Sequence, residues 1–262
     1  MRHEARAADD GYRSALAPGL RSSEDAQRLA QEIGVGAARL DALTTAPPGL
    51  YAEIASEPDD EQACWLAFLV AYLGPLEQDD PFAAIEAVRT RWGTVPDLAG
   101  VEVGPRGSHE PARGRATIDA YMRYAERSGG QQAALVANQA WTAAQRFERG
   151  YERLSLPGLH RRARYDLLVT LGLLGRCALV APALLLTEED AVTLAAKRVF
   201  GIGDRLTLER RSRELAAAVG VPVEALDLAL ENWARTERVT QGVRAAAGGG
   251  PAGERALAAL GA

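Results

Sequence analysis

Apolar positions recur at the three- and four-residue spacing of α-helices along most of the chain. The stretch 22–34 opens with serine and acidic residues, as helix N-termini do, and closes on glycine. The stretch 58–74 starts acidic and becomes apolar on every face, which predicts a buried central helix. Further helices are predicted over 79–93, 116–130, 131–154, 159–175, 187–201, 204–220 and 222–236. Because no stretch sustains the two-residue alternation of a half-buried strand, the pattern predicts an all-α, globular, multi-helix fold.

Regions without helical periodicity divide the chain. Residues 1–20 mix charge, glycine and proline and are predicted to be disordered, and 241–262 are predicted to form a low-complexity tail. The helical domain predicted between them covers 21–240. Within it, the Gly- and Pro-rich stretch LAGVEVGPRGSHEPARGR (98–115) has two interpretations. It is either a flexible, solvated loop between helical subdomains or a basic arm that folds onto a nucleic-acid strand.

The charge balance narrows the range of partners. The 262-residue chain carries 30 Lys and Arg against 35 Asp and Glu, for a formal net charge of −5. Proteins that coat nucleic acid indiscriminately are usually basic. Any nucleic-acid contact is therefore expected at a local basic patch rather than over the whole surface.

The histidines, cysteines and apolar runs argue against a metal site, a CxxC pair and a membrane span. The three histidines are far apart and lack metal-ligand spacing, so no metal site is predicted and the sequence requires no cofactor. Cys64 and Cys177 lie in or beside apolar runs without a CxxC pair, which is typical of buried thiols in a reducing compartment. The longest apolar run, 63–74, is too short to span a bilayer, and the N-terminus lacks a signal-peptide core. A cytoplasmic protein without membrane association is expected.

The stretch KRVFGIGDRLTLERR (197–211) interrupts two helix-like segments with Gly-Ile-Gly. Glycines at both corners permit a tight reversal and leave the backbone amides uncovered by a Cβ. Asp204 can cap the helix that follows, and amides pointing outward just before a helix N-terminus form a site for one phosphate. The residue between the glycines is expected to turn inward and hold the two helices together. The predicted DNA-backbone contacts are Gly201, Ile202, Gly203, Arg205, Lys197 and Arg198.

Asp227 is the candidate catalytic residue in the predicted helix 222–236. It follows a Gly-Val-Pro break and lies at the edge of a core stripe that includes Leu230 and Trp233. Glu231, one helical turn further, can share its face, and paired carboxylates there could raise one pKa. Two interpretations stay open for Asp227. It is either a catalytic carboxylate at a substrate pocket or an acid in the first turn that stabilises the helix.

Four stretches carry a family resemblance: FLVAYLGPLEQDDPFAAI (68–85), RFERGYERLSLPGL (146–159), AAKRVFGIGD (195–204) and EALDLALENW (224–233). Over residues 50–236 the chain resembles the helix-hairpin-helix DNA glycosylase superfamily, and most of all the α-glutamyl/putrescinyl thymine pyrophosphorylase group, clade 3. The resemblance places a helix-hairpin-helix element at 187–218, whose amides bind one DNA phosphate without reading sequence. Asp227, 24 residues past Gly203, matches the catalytic aspartate of these enzymes. Arg205 stands where bifunctional members have a lysine, which puts a lyase reaction in doubt.

The resemblance implies a DNA base-modifying enzyme in which an amine displaces pyrophosphate from a modified thymine in double-stranded DNA. The target base would be extruded from the duplex before the reaction. Candidate contacts to the substrate or leaving group are Arg210, Arg211, Trp233 and Glu231, and a monovalent cation is a candidate ligand of the hairpin. The alternatives are a base-excision glycosylase, a non-catalytic helix-hairpin-helix DNA-binding module, or a helical interaction module without nucleic acid. The acidic balance favours the last of these, and the hairpin with Asp227 downstream favours the enzyme.

Overall fold

The computed structural model describes residues 7–136, 138, 140–187, 190–201, 203–244 and 249–262. Within those residues the chain is all-helical and has no strand, which confirms the all-α, multi-helix part of the predicted fold. The helices are α1 (Ser23–Thr45), α2 (Leu50–Ser56), α3 (Asp60–Leu73), α4 (Ala83–Val88), α5 (Gly114–Ser128), α6 (Gln131–Val136), α7 (Ala143–Arg153), α8 (Arg161–Leu173), α9 (Ala191–Phe200), α10 (Arg205–Val219), α11 (Glu224–Trp233) and α12 (Gly250–Leu260). No helix among them is both long enough and apolar enough to cross a membrane.

Contacts between residues divide the chain into two compact units. The first contains Met1–Ala42, Ala183–Val239 and Arg244–Ala262, and the second contains Leu43–Pro182 and Thr240–Val243. The helical domain predicted over 21–240 spans residues of both units.

In the first unit, α9 packs against α10 and α11, and α10 packs against α12. Helix α1 continues to Thr45 although the sequence predicts an end at Gly34. Both Gly34 and Gly36 lie where another stretch of backbone touches the helix, and a Cβ at either position would overlap a carbonyl oxygen of that stretch. These glycines serve close packing of backbone on backbone, so they do not end the helix.

In the second unit, α3 is the central helix and packs against α2, α4, α6 and α8. All its residues from Ala63 to Leu73 are buried, which confirms the prediction for 58–74. The rings of Phe68 and Tyr121 stack with their centroids 3.7 Å apart, which joins α3 to α5. Helix α3 is apolar all round because it has neighbours on several sides.

Two of the predicted helices differ from the structure: one is shorter than predicted, and the other is divided into two helices. Over 79–93 only Ala83–Val88 is helical, because Asp80 accepts a bond from the Phe82 amide in a turn and Arg89 is extended. The stretch 131–154 contains two helices, α6 and α7, rather than one. Thr142 starts α7 with a capping box, in which its hydroxyl and the side chain of Gln145 bond each other's backbone amides.

The segment predicted to be disordered, 1–20, is described from residue 7 and contains no helix. Leu20 is buried, and the Tyr12 hydroxyl donates to the Leu260 carbonyl at 2.6 Å. The predicted tail, 241–262, contains α12. Contacts of this irregular kind leave no periodic pattern in the sequence.

The stretch 98–115 is neither a free loop nor a basic arm. The amide of Gly104 donates to the Leu73 carbonyl, and the amide of Ser108 donates to the Tyr72 carbonyl. The last carbonyls of a helix lack partners within it, so the stretch satisfies the C-terminus of α3. Arg106, only 2% exposed, forms a bidentate ion pair with Asp166 at 2.9 and 3.0 Å. Its guanidinium is therefore committed inside the protein.

Candidate functional site

The predicted hairpin lies between α9 and α10. Helix α9 ends at Phe200, and Gly201 follows in the left-handed conformation with φ of 68°. Helix α10 starts at Arg205, where the Asp204 carboxylate accepts bonds from the Thr207 amide at 3.0 Å and its hydroxyl at 2.7 Å. Two helices joined by a short glycine turn thus occur where the sequence predicts them. Ile202, predicted to turn inward and to contact DNA, lies outside the described residues.

Of the two hairpin glycines, Gly201 has its amide occupied and Gly203 does not, within the described residues. The Gly201 amide donates to the Lys197 carbonyl at 2.9 Å, as in many helix C-caps, so it does not point outward. Gly203 is exposed, lies outside the left-handed region and makes no hydrogen bond within the described part of the chain. Bonds from Thr207 lower the pKa of Asp204, whose negative charge at the start of α10 opposes an incoming anion.

Positive charge gathers beside the hairpin instead. Three arginines, Arg21, Arg198 and Arg211, come from the N-terminal segment, α9 and α10, and line one opening of about 330 Å³, the hairpin cleft. The remaining lining residues are Pro18, Gly19, Phe200 and Gly201. None of these described lining residues is acidic, although the Asp9 carboxylate outside the opening interacts electrostatically with Arg21.

Arg21 is the member that the sequence analysis missed. It follows Gly19, whose amide donates to the Val199 carbonyl at 2.8 Å. A Cβ on Gly19 would overlap the Arg198 carbonyl oxygen, so only glycine lets this segment lie against the last turn of α9. The signal in the sequence is a single Pro-Gly pair inside a stretch without periodicity, which does not reveal the contact.

The packing of Arg198 and Arg211 fixes their position in the cleft. The Arg198 guanidinium lies 4.9 Å from the ring centroid of Trp233, in cation–π contact. Arg211 donates to the Phe200 carbonyl at 3.3 Å. Cations near a helix C-terminus also stabilise the helix dipole, which accounts for Arg211 without any ligand. That explanation does not extend to Arg21, whose exposed side chain donates no hydrogen bond in the described residues and interacts electrostatically with the Asp9 carboxylate.

The other predicted basic contacts lie elsewhere. Arg210 is exposed and pairs with Glu214 at 2.7 Å on the outer side of α10. Arg205 is exposed and Lys197 half-buried, and neither lines the hairpin cleft. Of the predicted basic contacts, Arg198 and Arg211 line the hairpin cleft, and the other three do not.

The predicted catalytic group is buried. Asp227 is 2% exposed, and Glu231 is fully buried and pairs with Arg235 at 2.6 Å. Trp233 is also fully buried, and its indole N–H donates to the Asp25 carbonyl at 2.9 Å. Its ring packs within the core of the first unit, so the contact between Trp233 and a substrate stays a prediction. Asp227 is therefore more fully buried than its predicted place at the edge of the core stripe implies.

A cation at the hairpin would need carbonyl oxygens of the turn. The Val199 carbonyl accepts from Gly19, and the Phe200 carbonyl accepts from the Arg211 guanidinium, which already supplies positive charge there. The described residues contain no group of three His, Cys, Asp or Glu side chains arranged around a metal position. The monovalent cation stays a prediction.

Comparisons with protein-family models, with curated proteins and with solved structures found no match to the chain. The resemblance to the thymine pyrophosphorylase group therefore depends on the quoted motifs alone.

Proposed function

We propose that the protein binds the phosphate backbone of double-stranded DNA at the hairpin cleft. The observation that carries the proposal is the convergence of Arg21, Arg198 and Arg211 beside Gly201, without an acidic residue among the described lining residues. Guanidinium groups match the geometry of phosphate oxygens and stay charged at every physiological pH. Contacts of this kind hold the duplex without reading its sequence.

The support for DNA rather than a free phosphate is the hairpin itself. The cleft is flanked by the turn between α9 and α10, where Gly203 is exposed and leaves room for a backbone to approach. Arginines from three separate segments can contact a strand that passes over the turn. The overall charge of −5 limits non-specific binding, so the affinity should depend strongly on this patch.

The test compares two neighbouring arginines on α10. Arg211→Gln removes a cleft cation, whereas Arg210→Gln removes an exposed cation that Glu214 already neutralises. Duplex binding is measured by fluorescence anisotropy over a range of salt concentrations. Arg211→Gln should weaken binding uniformly across sequences and reduce the salt slope by about 1. Arg210→Gln should leave both unchanged, and equal effects of the two variants would reject the cleft as the DNA site.

A second candidate function is modification of a DNA base through Asp227, as the family resemblance implies. The observation that favours it is the burial of Asp227 and Glu231 one turn apart on α11. Burying two carboxylates is costly, so a protein that keeps them commonly uses them in a buried network or in catalysis. In the proposed reaction the Asp227 carboxylate would deprotonate or position an incoming amine while pyrophosphate leaves.

Asp227→Asn separates catalysis from a structural role. If Asp227 is catalytic, turnover on duplex DNA carrying a pyrophosphorylated hydroxymethyluracil should fall by orders of magnitude, with DNA affinity and melting temperature nearly unchanged. A lower melting temperature with normal turnover would show a structural carboxylate. Absence of any turnover by the unmodified protein on this substrate would leave DNA binding as the proposed function and reject this reaction.

A further inference from the structure

The two cysteines of the chain, Cys64 and Cys177, lie side by side within the second unit. Cys64 lies in the first half of α3, and Cys177 lies in the segment that follows α8, the helix packed against α3. The Cys64 thiol donates a hydrogen bond to the sulfur of Cys177. In the sequence they are 113 positions apart and form no CxxC pair, so their contact comes from the fold.

A neighbouring ion pair fixes the same contact. Arg176, next to Cys177 in the chain, pairs with the Asp60 carboxylate at the start of α3. Cys64 comes four residues after Asp60, so the two side chains share one face of α3. The Cys177 amide donates to the Leu171 carbonyl in the last turn of α8 at 3.2 Å. Bonds to both helices therefore hold Cys177 against the face of α3 that carries Cys64.

The two thiols differ in how readily they ionise. The hydrogen bond from Cys64 lowers the pKa of Cys177. Burial and the carboxylates of Asp60 and Glu61 act in the opposite direction, and the Arg176 guanidinium offsets part of their effect on this pKa. The same hydrogen bond, together with burial, raises the pKa of Cys64 well above its usual range. Because the thiolate is the nucleophilic form of cysteine, Cys177 is the thiol that attacks an oxidant.

The burial of both sulfurs favours a small oxidant. Cys177 is 5% exposed and Cys64 is 1% exposed, so a peroxide fits the approach better than a bulky disulfide does. Cys177 lies outside the helices, in a bend of the chain. A small shift of this segment can therefore bring the two sulfurs from hydrogen-bond contact to the S–S length of about 2.05 Å.

We propose that Cys64 and Cys177 form a peroxide-reactive dithiol, which is oxidised to a reversible disulfide in the folded protein. The Cys177 thiolate attacks one oxygen of hydrogen peroxide, the O–O bond breaks, and the leaving hydroxide takes up a proton and becomes water. Cys177 is thereby oxidised to a sulfenic acid. The Cys64 sulfur then attacks the Cys177 sulfur, and the sulfenic hydroxyl leaves as water with the Cys64 proton. Two thiols and one peroxide thus become one disulfide and two waters.

Hydrogen peroxide is the probe, added to the full chain under native conditions. Mass spectrometry and thiol counting should show the loss of two hydrogen atoms and of both free thiols, and dithiothreitol should restore both thiols. A linked pair of peptides that contain positions 64 and 177 identifies the bond. Oxygen addition at the cysteines without a disulfide, or two thiols that stay free, would overturn the proposal.

The melting temperature tests whether the disulfide fits the native fold. A bond between residues so far apart in the chain restricts the unfolded state strongly, so the oxidised protein should melt about 5–10 °C higher than the reduced one. Dithiothreitol should reverse the rise. Without that rise, the bond would form only by straining or opening the fold, and a site that reacts in the folded protein would be rejected.

Cys64→Ser and Cys177→Ser assign the attacking thiol. Cys64→Ser keeps a hydrogen-bond donor beside Cys177 but no second sulfur, so peroxide should leave a sulfenic acid on Cys177 that dimedone traps during unfolding. In Cys177→Ser, Cys64 should stay a thiol, because burial still raises its pKa. Equal trapping in the two variants would reject the assigned order, and the natural protein alone decides the disulfide if a variant fails to fold. These outcomes are independent of DNA binding at the hairpin cleft, whose lining residues belong to the first unit.

Discussion

At the scale of single residues, the two glycines of the hairpin differ although the sequence presents them alike. Gly201 has a φ of 68°, which side-chain-bearing residues rarely adopt, whereas Gly203 lies outside that region and has open space where a Cβ would lie. We expect Gly201→Ala to destabilise the protein by about 1–2 kcal/mol and Gly203→Ala to leave stability nearly unchanged. Urea denaturation of the two variants measures the difference.

A bulky residue at position 203 tests the backbone contact separately from stability. Gly203→Val should weaken duplex binding uniformly across sequences, because it would crowd the approach of a phosphate to the turn without touching a base. Unchanged affinity at moderate salt would show that the hairpin turn is not part of the DNA site and that the arginines alone form it.

His109 makes a prediction about pH. Its pKa in the folded protein lies below the ordinary value of 6.5, so the unfolded chain binds more protons between the two values. This contribution to stability is complete above pH 6.5 and is lost as the pH falls through the folded-state pKa. The free energy of unfolding should fall more steeply from pH 7.5 to 5 in the natural protein than in His109→Gln. An identical pH dependence in both proteins would contradict a neutral, buried imidazole.

At the scale of elements, the contact between the N-terminal segment and α9 decides whether the hairpin cleft has three cations or two. Gly19→Ala places a methyl group against the Arg198 carbonyl and should displace the segment that carries Arg21. We expect duplex affinity to fall as much in Gly19→Ala as in Arg21→Gln, because both remove the same cation. If Gly19→Ala binds DNA like the natural protein, the segment does not position Arg21.

The helices themselves show where local patterns fail. Glycine commonly follows the last residue of a helix. In α1, however, the backbone of other segments packs onto Gly34 and Gly36, and the helix continues. In 131–154 the composition favours one long helix, but Thr142 and Gln145 start a new one. Capping and packing each contribute about 1 kcal/mol or more, enough to outweigh small differences in helix propensity.

At the scale of the whole molecule, the net charge of −5 opposes DNA binding everywhere except at a concentrated patch. Three arginines that each neutralise one phosphate predict a slope of about −3 for the logarithm of the binding constant against the logarithm of salt concentration. Anisotropy titrations at several salt concentrations measure this slope. A slope near zero would exclude a phosphate contact, and a much steeper one would require a larger basic surface than the hairpin cleft.

The helical class, the buried helix over 58–74 and the turn that Asp204 caps all follow from local patterns in the amino-acid sequence. Each of these depends on residues a few positions apart, so periodicity and capping reveal them. Which basic residues come together depends on the tertiary fold, since Arg21 and Arg211 are 190 positions apart in the chain. The burial of Asp227 and of the His109 ring also depends on the tertiary structure. Burial and long-range contacts depend on how elements distant in sequence pack, and no local pattern encodes that arrangement.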